Sequence, residues 1–202
     1  MKIQTLEIGY IGTNCYVASD DNGICAIIDC DGNPEPLFRY IAENNLKPTH
    51  ILLTHGHFDH IGAVEAVKEK YGCLVCGGRK EQRVLTDPAV NCSLYNGVSL
   101  SITPDIWLEE GDVVKVGDLK FSVMLTPGHT EGSLCFFLGD SIFTGDTLFQ
   151  GSCGRTDLAT GNWSDIMRSL KRLRDLPGDY TVYPGHGPAT TLSIERQSNP
   201  YM

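Results

Sequence analysis

Apolar and polar residues alternate along the N-terminal run to residue 8, strand-like apolar runs follow over 15–18 and 25–29, and Gly-, Asn- and Asp-rich turns such as Asp20-Asp21-Asn22-Gly23 separate the runs. That pattern predicts three strands in an antiparallel meander. Pro34 opens a helix that runs to Asn44 with Leu37, Tyr40 and Ile41 on its inner face. A short apolar strand over 50–53 is followed by the polar stretch 54–60 and then by helical periodicity over 61–71, so the polar stretch falls at a strand-to-helix junction. Residues 73–76 predict another strand and 79–85 a short helix. Residues 86–105, with Tyr95 near their middle, form a long irregular segment of the kind that covers a pocket.

The remainder repeats the plan, though not the sequence. Strands are predicted over 113–116, 119–125, 134–138, 141–144 and 180–183, with helices over 164–173 and 192–198, the last capped by Thr190 or Thr191. Two strand-rich halves that each end in helices predict stacked sheets flanked by helices. A chain of 202 residues buries one substantial core, which predicts a single domain over 1–202.

Composition narrows the function classes. Hydrophobic residues at 41% and charged residues at 20% are ordinary globular usage. Sixteen Lys and Arg against 25 Asp and Glu give a net charge of −9, which argues against nucleic acid and anionic membrane as partners. The densest basic stretch, 168–174, reads as the solvated face of an amphipathic helix. No apolar run reaches the roughly 20 residues that span a bilayer. The N-terminus alternates like a strand and lacks the apolar core of a signal peptide, so a cytoplasmic protein is expected. In that compartment the eight cysteines read as small buried hydrophobes, including Cys73 and Cys76, whose CxxC has no second CxxC to complete a metal set. Trp107 and Trp163 read as core or helix-start packing, with an interface role as the alternative.

His55-Gly56-His57-Phe58-Asp59-His60 places three imidazoles and a carboxylate within six residues. Such a cluster is costly in a core unless a cation occupies it, and borderline divalent metals take these N and O donors. His129, Asp146 and His186 each follow an apolar strand and a glycine, which lets rigid strands aim them at one point. His50 begins the strand that leads to the cluster and reads as structural.

The motifs Thr54-His55-Gly56-His57-Phe58-Asp59-His60, Pro127-Gly128-His129-Thr130, Thr144-Gly145-Asp146-Thr147 and Gly185-His186-Gly187 resemble, in order and spacing, those of the metallo-β-lactamase superfamily. The resemblance implies an α+β fold, a four-layer αβ/βα sandwich of two mixed sheets flanked by helices, with two divalent metal ions at one edge. It assigns His55, His57 and His129 to one ion, Asp59, His60 and His186 to the other, and Asp146 to both. It also implies hydrolysis by a metal-bridging hydroxide, which Asp59 orients as the catalytic carboxylate. Asp29 matches an acidic residue that supports the ligand loop; a plain strand-end turn Asp is the other reading.

Within the superfamily, β-lactamases usually carry Cys or Ser where this chain has Asp146, the diiron flavoprotein oxidases carry Glu at the position of His57, and RNA-processing members want basic surface. The chain is most similar to the glyoxalase II group, which hydrolyses S-acyl glutathione. With 16 residues after His186 it resembles the short bacterial form without the C-terminal helical domain, which leaves the natural thiol open. Gly154-Arg155-Thr156-Asp157 resembles a loop of those short relatives. Arg155 is expected to anchor a substrate carboxylate, or else to pair internally with Asp157. The expectation is a binuclear thioesterase acting on an anionic small-molecule thioester, with zinc as the metal and iron or manganese compatible with the same donors. The alternatives are a persulfide dioxygenase, which would hold one iron by two His and one Asp, and a non-catalytic metal-binding protein, against which the complete ligand set argues.

Overall fold

The computed structural model describes residues 1–202. One six-stranded sheet runs in spatial order through β1 (Lys2–Ile8), β2 (Thr13–Ser19), β3 (Ile24–Ile28), β4 (Lys47–Leu52), β5 (Leu74–Gly78) and β6 (Ile106–Leu108). β1 to β3 form the antiparallel meander, and β3 to β6 are parallel. Parallel neighbours need crossovers. These are α1 (Glu35–Glu43) between β3 and β4, then α2 (Phe58–Ile61) and α3 (Val64–Tyr71) between β4 and β5, while α4 (Gln82–Thr86) and the irregular segment after it lead to β6.

The second sheet holds β7 (Val113–Val116), β8 (Leu119–Leu125), β9 (Leu134–Leu138) and β10 (Ser141–Gly145), all antiparallel neighbours. A separate two-stranded ribbon follows, β11 (Leu148–Phe149) with β12 (Ser152–Cys153). Helix α5 (Trp163–Arg174) then crosses to β13 (Thr181–Pro184), which lies parallel to β10, and β14 (Thr190–Thr191) closes the edge before α6 (Leu192–Ser198). The side chain of Thr191 caps α6 by accepting from the Ile194 amide.

The period-two alternation of strand residues sorts the core into layers. Tyr16, Ala18, Ala26 and Ile28 of the first sheet meet Phe121, Phe136 and Phe143 of the second in the central layer. Their neighbours Cys15, Val17, Cys25 and Ile27 face outward onto Leu37 and Ile41 of α1 and Val64 and Val67 of α3. On the far side, Cys135, Ile142 and Val182 pack beneath Ile166, Leu170 and Leu173 of α5. The result is the metallo-β-lactamase fold, helices on sheet on sheet on helices, as expected. No helix is long and apolar enough to cross a membrane.

Three local expectations change. The helix expected over 61–71 divides at Gly62 and Ala63, and a separate turn of helix begins earlier, at Phe58, so that Asp59 and His60 are helical. The edge strand β6 was hidden by its brevity, since Ile106-Trp107-Leu108 is too short to show alternation. The two-residue strands β11, β12 and β14 are short in the same way. Trp107 packs against the outer core of the first sheet, and Trp163 starts α5, half exposed, edge-on to Tyr201.

Candidate metal centre

The fold brings all the expected donors together by placing each just beyond a strand. His55 and His57 follow β4, Asp59 and His60 ride the single turn of α2, His129 follows β8, Asp146 directly follows β10, and His186 follows β13. β2 of the first sheet fixes the last of these to the rest. The Asn14 amide donates to the Gly185 carbonyl at 2.8 Å, and the Asn14 side chain donates to the carbonyls of Pro184 and Gly187 at 3.0 and 2.8 Å. His50 lies upstream in β4, where Nδ1 meets the Thr49 hydroxyl at 2.9 Å, outside the cluster.

Three triads have ligand atoms within 4.8 Å of one another: His55, His57 and His129; Asp59, His60 and His186; and His55, His60 and Asp146. Nδ1 of His57 stands 2.9 Å from Nε2 of His129. Nε2 of His186 lies 3.1 Å from Asp59 Oδ2, and Nε2 of His60 lies 3.3 Å from the same oxygen. The Asp146 carboxylate stands between these groups. Its Oδ1 is 3.4 Å from His60, and its Oδ2 is 3.4 Å from His129 and 3.7 Å from His186.

Several donors are held from behind. Asp29, at a left-handed φ of 51°, accepts from the Thr54 amide at 2.8 Å and the Thr54 hydroxyl at 2.7 Å, and its Oδ2 meets His60 Nδ1 at 2.8 Å. It thus ties the ligand loop to the end of β3 and turns Nε2 of His60 inward. His129 Nδ1 meets the Arg155 carbonyl at 2.8 Å. Sequence reasoning missed Glu81. Its buried carboxylate accepts from the Gly56 amide at 2.9 Å, the Thr130 hydroxyl at 2.8 Å and the Gly132 amide at 2.9 Å, joining the loop of His55 and His57 to that of His129.

The electrostatics fit a cation. Burial first, and then His60, His129 and His57, hold His55 well below the ordinary imidazole range; burial and His129 bring His57 down to about 3. Both are therefore neutral, with lone pairs to give. Burial opposes charge on Asp59 and Asp146, yet His60 and the other imidazoles hold both carboxylates below their usual range. Burial also opposes charge on His60, but Asp59, Asp29 and Asp146 overcome it and raise it well above the imidazole range. A cation would take the place of that proton. Nε2 of His55, His57 and His60 and Oδ1 of Asp146 are buried without any hydrogen-bond partner. Buried polar atoms are almost always satisfied, so four orphaned polar atoms in one cluster fit divalent metal, and the N and O donor set suits zinc, iron or manganese.

The centre opens into a cleft of about 390 Å³ whose apolar walls are Ile11, Phe58, Phe149 and Leu158, with Cys92 beside them. Arg155 lines the same cleft, and its guanidinium grips Asp157 through Nε at 2.6 Å and Nη2 at 2.7 Å. The structure therefore contains the internal pair that was the alternative for Arg155, on exposed side chains at the cleft.

Comparison with known proteins agrees with this geometry. The chain is 38% identical to a probable metallo-hydrolase, YqgX, of Bacillus subtilis, over 100% of this chain and 98% of the relative. It is 34% identical to the hydroxyacylglutathione hydrolase GloC of Haemophilus influenzae, with the same coverage. Among solved structures, the BLEG-1 B3 metallo-beta-lactamase superposes with a TM-score of 0.94 at 37% identity, covering 99% of both chains. TTHA1623 in a di-iron-bound form gives 0.88 at 35%, covering 98% of this chain and 100% of that one. ETHE1 from Myxococcus xanthus gives 0.83 at 34%, covering 99% of this chain and 84% of that one. Residues 8–186 match the description of the Metallo-beta-lactamase superfamily, and with these relatives aligned along its whole length, the chain belongs to that superfamily of metallo-hydrolases.

Proposed function

We propose that the protein is a binuclear metal-dependent thioester hydrolase of the glyoxalase II type, a single domain working in the cytoplasm on an anionic S-acyl thioester. The observation that carries this reading is the Asp146 carboxylate, placed between His60 on one side and His129 on the other. A carboxylate there can serve two ions at once. His55, His57 and His129 would hold one ion, Asp59, His60 and His186 the other, and Asp146 both. The likeness to a hydroxyacylglutathione hydrolase supports the thioester. Zinc is proposed, and the di-iron form of TTHA1623 makes iron the first alternative.

When bound, two such ions lower the pKa of water towards about 7 and polarise the acyl carbonyl. The chain supplies the rest. Asp59, kept ionised by His60 and accepting from the Thr13 hydroxyl at 3.3 Å, orients water by accepting its O–H. A thiol of pKa about 8.5 departs as thiolate without help from a protein acid, and none is needed here. Ile11, Phe58 and Phe149 exclude bulk water from the acyl group. Arg155 holds the substrate carboxylate after exchanging its bond with Asp157.

A second reading is the mononuclear iron persulfide dioxygenase. The triad of His55, His60 and Asp146 provides two imidazoles and one carboxylate, and the chain is similar to ETHE1. Metal analysis of the purified protein, followed by assays on S-lactoylglutathione, simple thioesters, a β-lactam, a phosphoester and glutathione persulfide, separates the cases. About two metals per chain with thioester cleavage is expected. One iron with oxygen uptake on the persulfide would establish the dioxygenase, and cleavage of only the lactam or phosphoester would overturn the thioester assignment.

A further inference from the structure

A second cleft, of about 400 Å³, opens beside the metal cleft, and the two share Ile11 and Phe58 as a common wall. Its remaining walls include Tyr10, Val98 and Leu100. Tyr10 and Ile11, in the turn between β1 and β2, and Val98, in the segment before β6, are exposed large apolar side chains at its mouth. Arg155 lines only the metal cleft, and Asp31 lines only the second.

Asp31 is unlike the acids of the metal centre. It is 7% exposed, and no side chain hydrogen-bonds to it. The charged groups that act on it are Asp59, His60 and His186, all on the metal side. The fold reserves space for this carboxylate: a Cβ on Gly9 would lie 2.0 Å from Oδ2, and one on Gly62 would lie 2.4 Å from Oδ1. A buried carboxylate short of donors is unfavourable. One kept at the edge of an apolar cleft that shares a wall with the metal cleft can take its donor from a ligand lying across both.

We infer that the second cleft receives the acyl arm of the substrate and that Asp31 accepts a hydrogen bond from an ammonium or amide N–H at the far end of that arm. This rests on the thioesterase reading. The substrate then spans the centre with opposite chemistry at its ends, an anion at Arg155 and a nitrogen donor at Asp31, with an apolar body between. A short hydroxyacyl group would leave the second cleft empty.

The test uses thioesters of 3-mercaptopropionate carrying 4-(aminomethyl)benzoyl, 4-(acetamidomethyl)benzoyl and 4-ethylbenzoyl groups, with wild type and Asp31→Asn. For an ammonium ligand, the ratio of kcat/KM for the aminomethyl over the ethyl substrate should fall about tenfold in the variant, carried by KM. For an amide ligand, wild type should prefer the acetamide over the ethyl compound, and Asp31→Ala should abolish that preference. Ratios that do not change overturn the inference. If wild type cleaves none of the three, the thioesterase reading falls, and the cleft is tested separately by titrating 4-methylbenzylamine into the protein. Binding that Asp31→Asn weakens about tenfold upholds the site, and equal binding refutes it. Should Asp31→Asn fail to fold, Tyr10→Ser at the open mouth replaces it, and unaltered benzylamine binding in that variant counts against the cleft.

Discussion

His60 Nδ1 and Asp29 Oδ2 stand 2.8 Å apart where neither side chain reaches solvent. Asp29→Asn keeps the size of the side chain and tolerates the left-handed backbone, but it removes the charge that fixes the imidazole. Metal affinity should fall about 10- to 100-fold with the fold retained. Competition against a chromophoric chelator, with circular dichroism as the control for folding, measures this.

Glu81 carries a pH signature. Burial pushes its carboxyl up from 4.5 to about 7. Between those values the folded protein keeps a proton that the unfolded chain has released, so its contribution to stability falls as pH rises through the window and levels off above it, by up to about 3 kcal/mol. In metal-free protein, the unfolding free energy of Glu81→Gln relative to wild type should therefore improve as pH rises from about 5 to about 7. Parallel stability curves would show that another group titrates.

Gly154 and Gly151 make a matched pair on one loop. A Cβ at Gly154 would lie 1.9 Å from the Asp146 carbonyl oxygen and 3.1 Å from His129 Nδ1, whereas one at Gly151, despite a φ of 65°, meets nothing within 4 Å. Gly151→Ala should cost about 1 to 2 kcal/mol of backbone strain, a few degrees in Tm, and keep its metal. Gly154→Ala should lose metal content, read by elemental analysis, because both Asp146 and His129 must move.

Arg155 is engaged before any substrate arrives, through its bidentate pair with Asp157. Asp157→Asn should lower KM for anionic thioesters relative to neutral ones, and Arg155→Ala should raise that ratio about tenfold. If neither variant changes the ratio, the pair only stiffens the loop.

Supplying zinc to chelated protein at about 1,000 times its Kd should stabilise it by about 4 kcal/mol, roughly 8 to 16 °C in Tm for a chain of this size. A scan of Tm against metal concentration checks it, and a flat scan would argue that the orphaned imidazoles are not ligands.

The metal donors were legible because four of them crowd into residues 55–60 and His129, Asp146 and His186 each follow an apolar strand and a glycine, local patterns that survive without knowledge of the fold. Glu81 was not. It lies in Arg79-Lys80-Glu81-Gln82-Arg83, the charged start of the short helix expected over 79–85, and only the approach of Gly132, distant in sequence, buries it. Asp31 was hidden for the same reason, since its surroundings come from Gly9 and Gly62 on separate elements. Cys92, at a φ of 68° in the long irregular segment, gave no sign that it would face the centre. Arg155 was legible as a residue of interest, but its choice between substrate and Asp157 depends on geometry that spacing does not encode.

The seven donors are divided between the halves of the chain, four from the β4–α2 region and three from the loops of the second sheet. An ion held among them would fasten positions roughly 130 residues apart, a span over which a covalent cross-link removes several kcal/mol of chain freedom. All eight cysteines are free, so no disulfide performs that service. The join between the halves would then be undone by a chelator and left untouched by a reductant, which makes the durability of the molecule answer to metal supply instead of redox state.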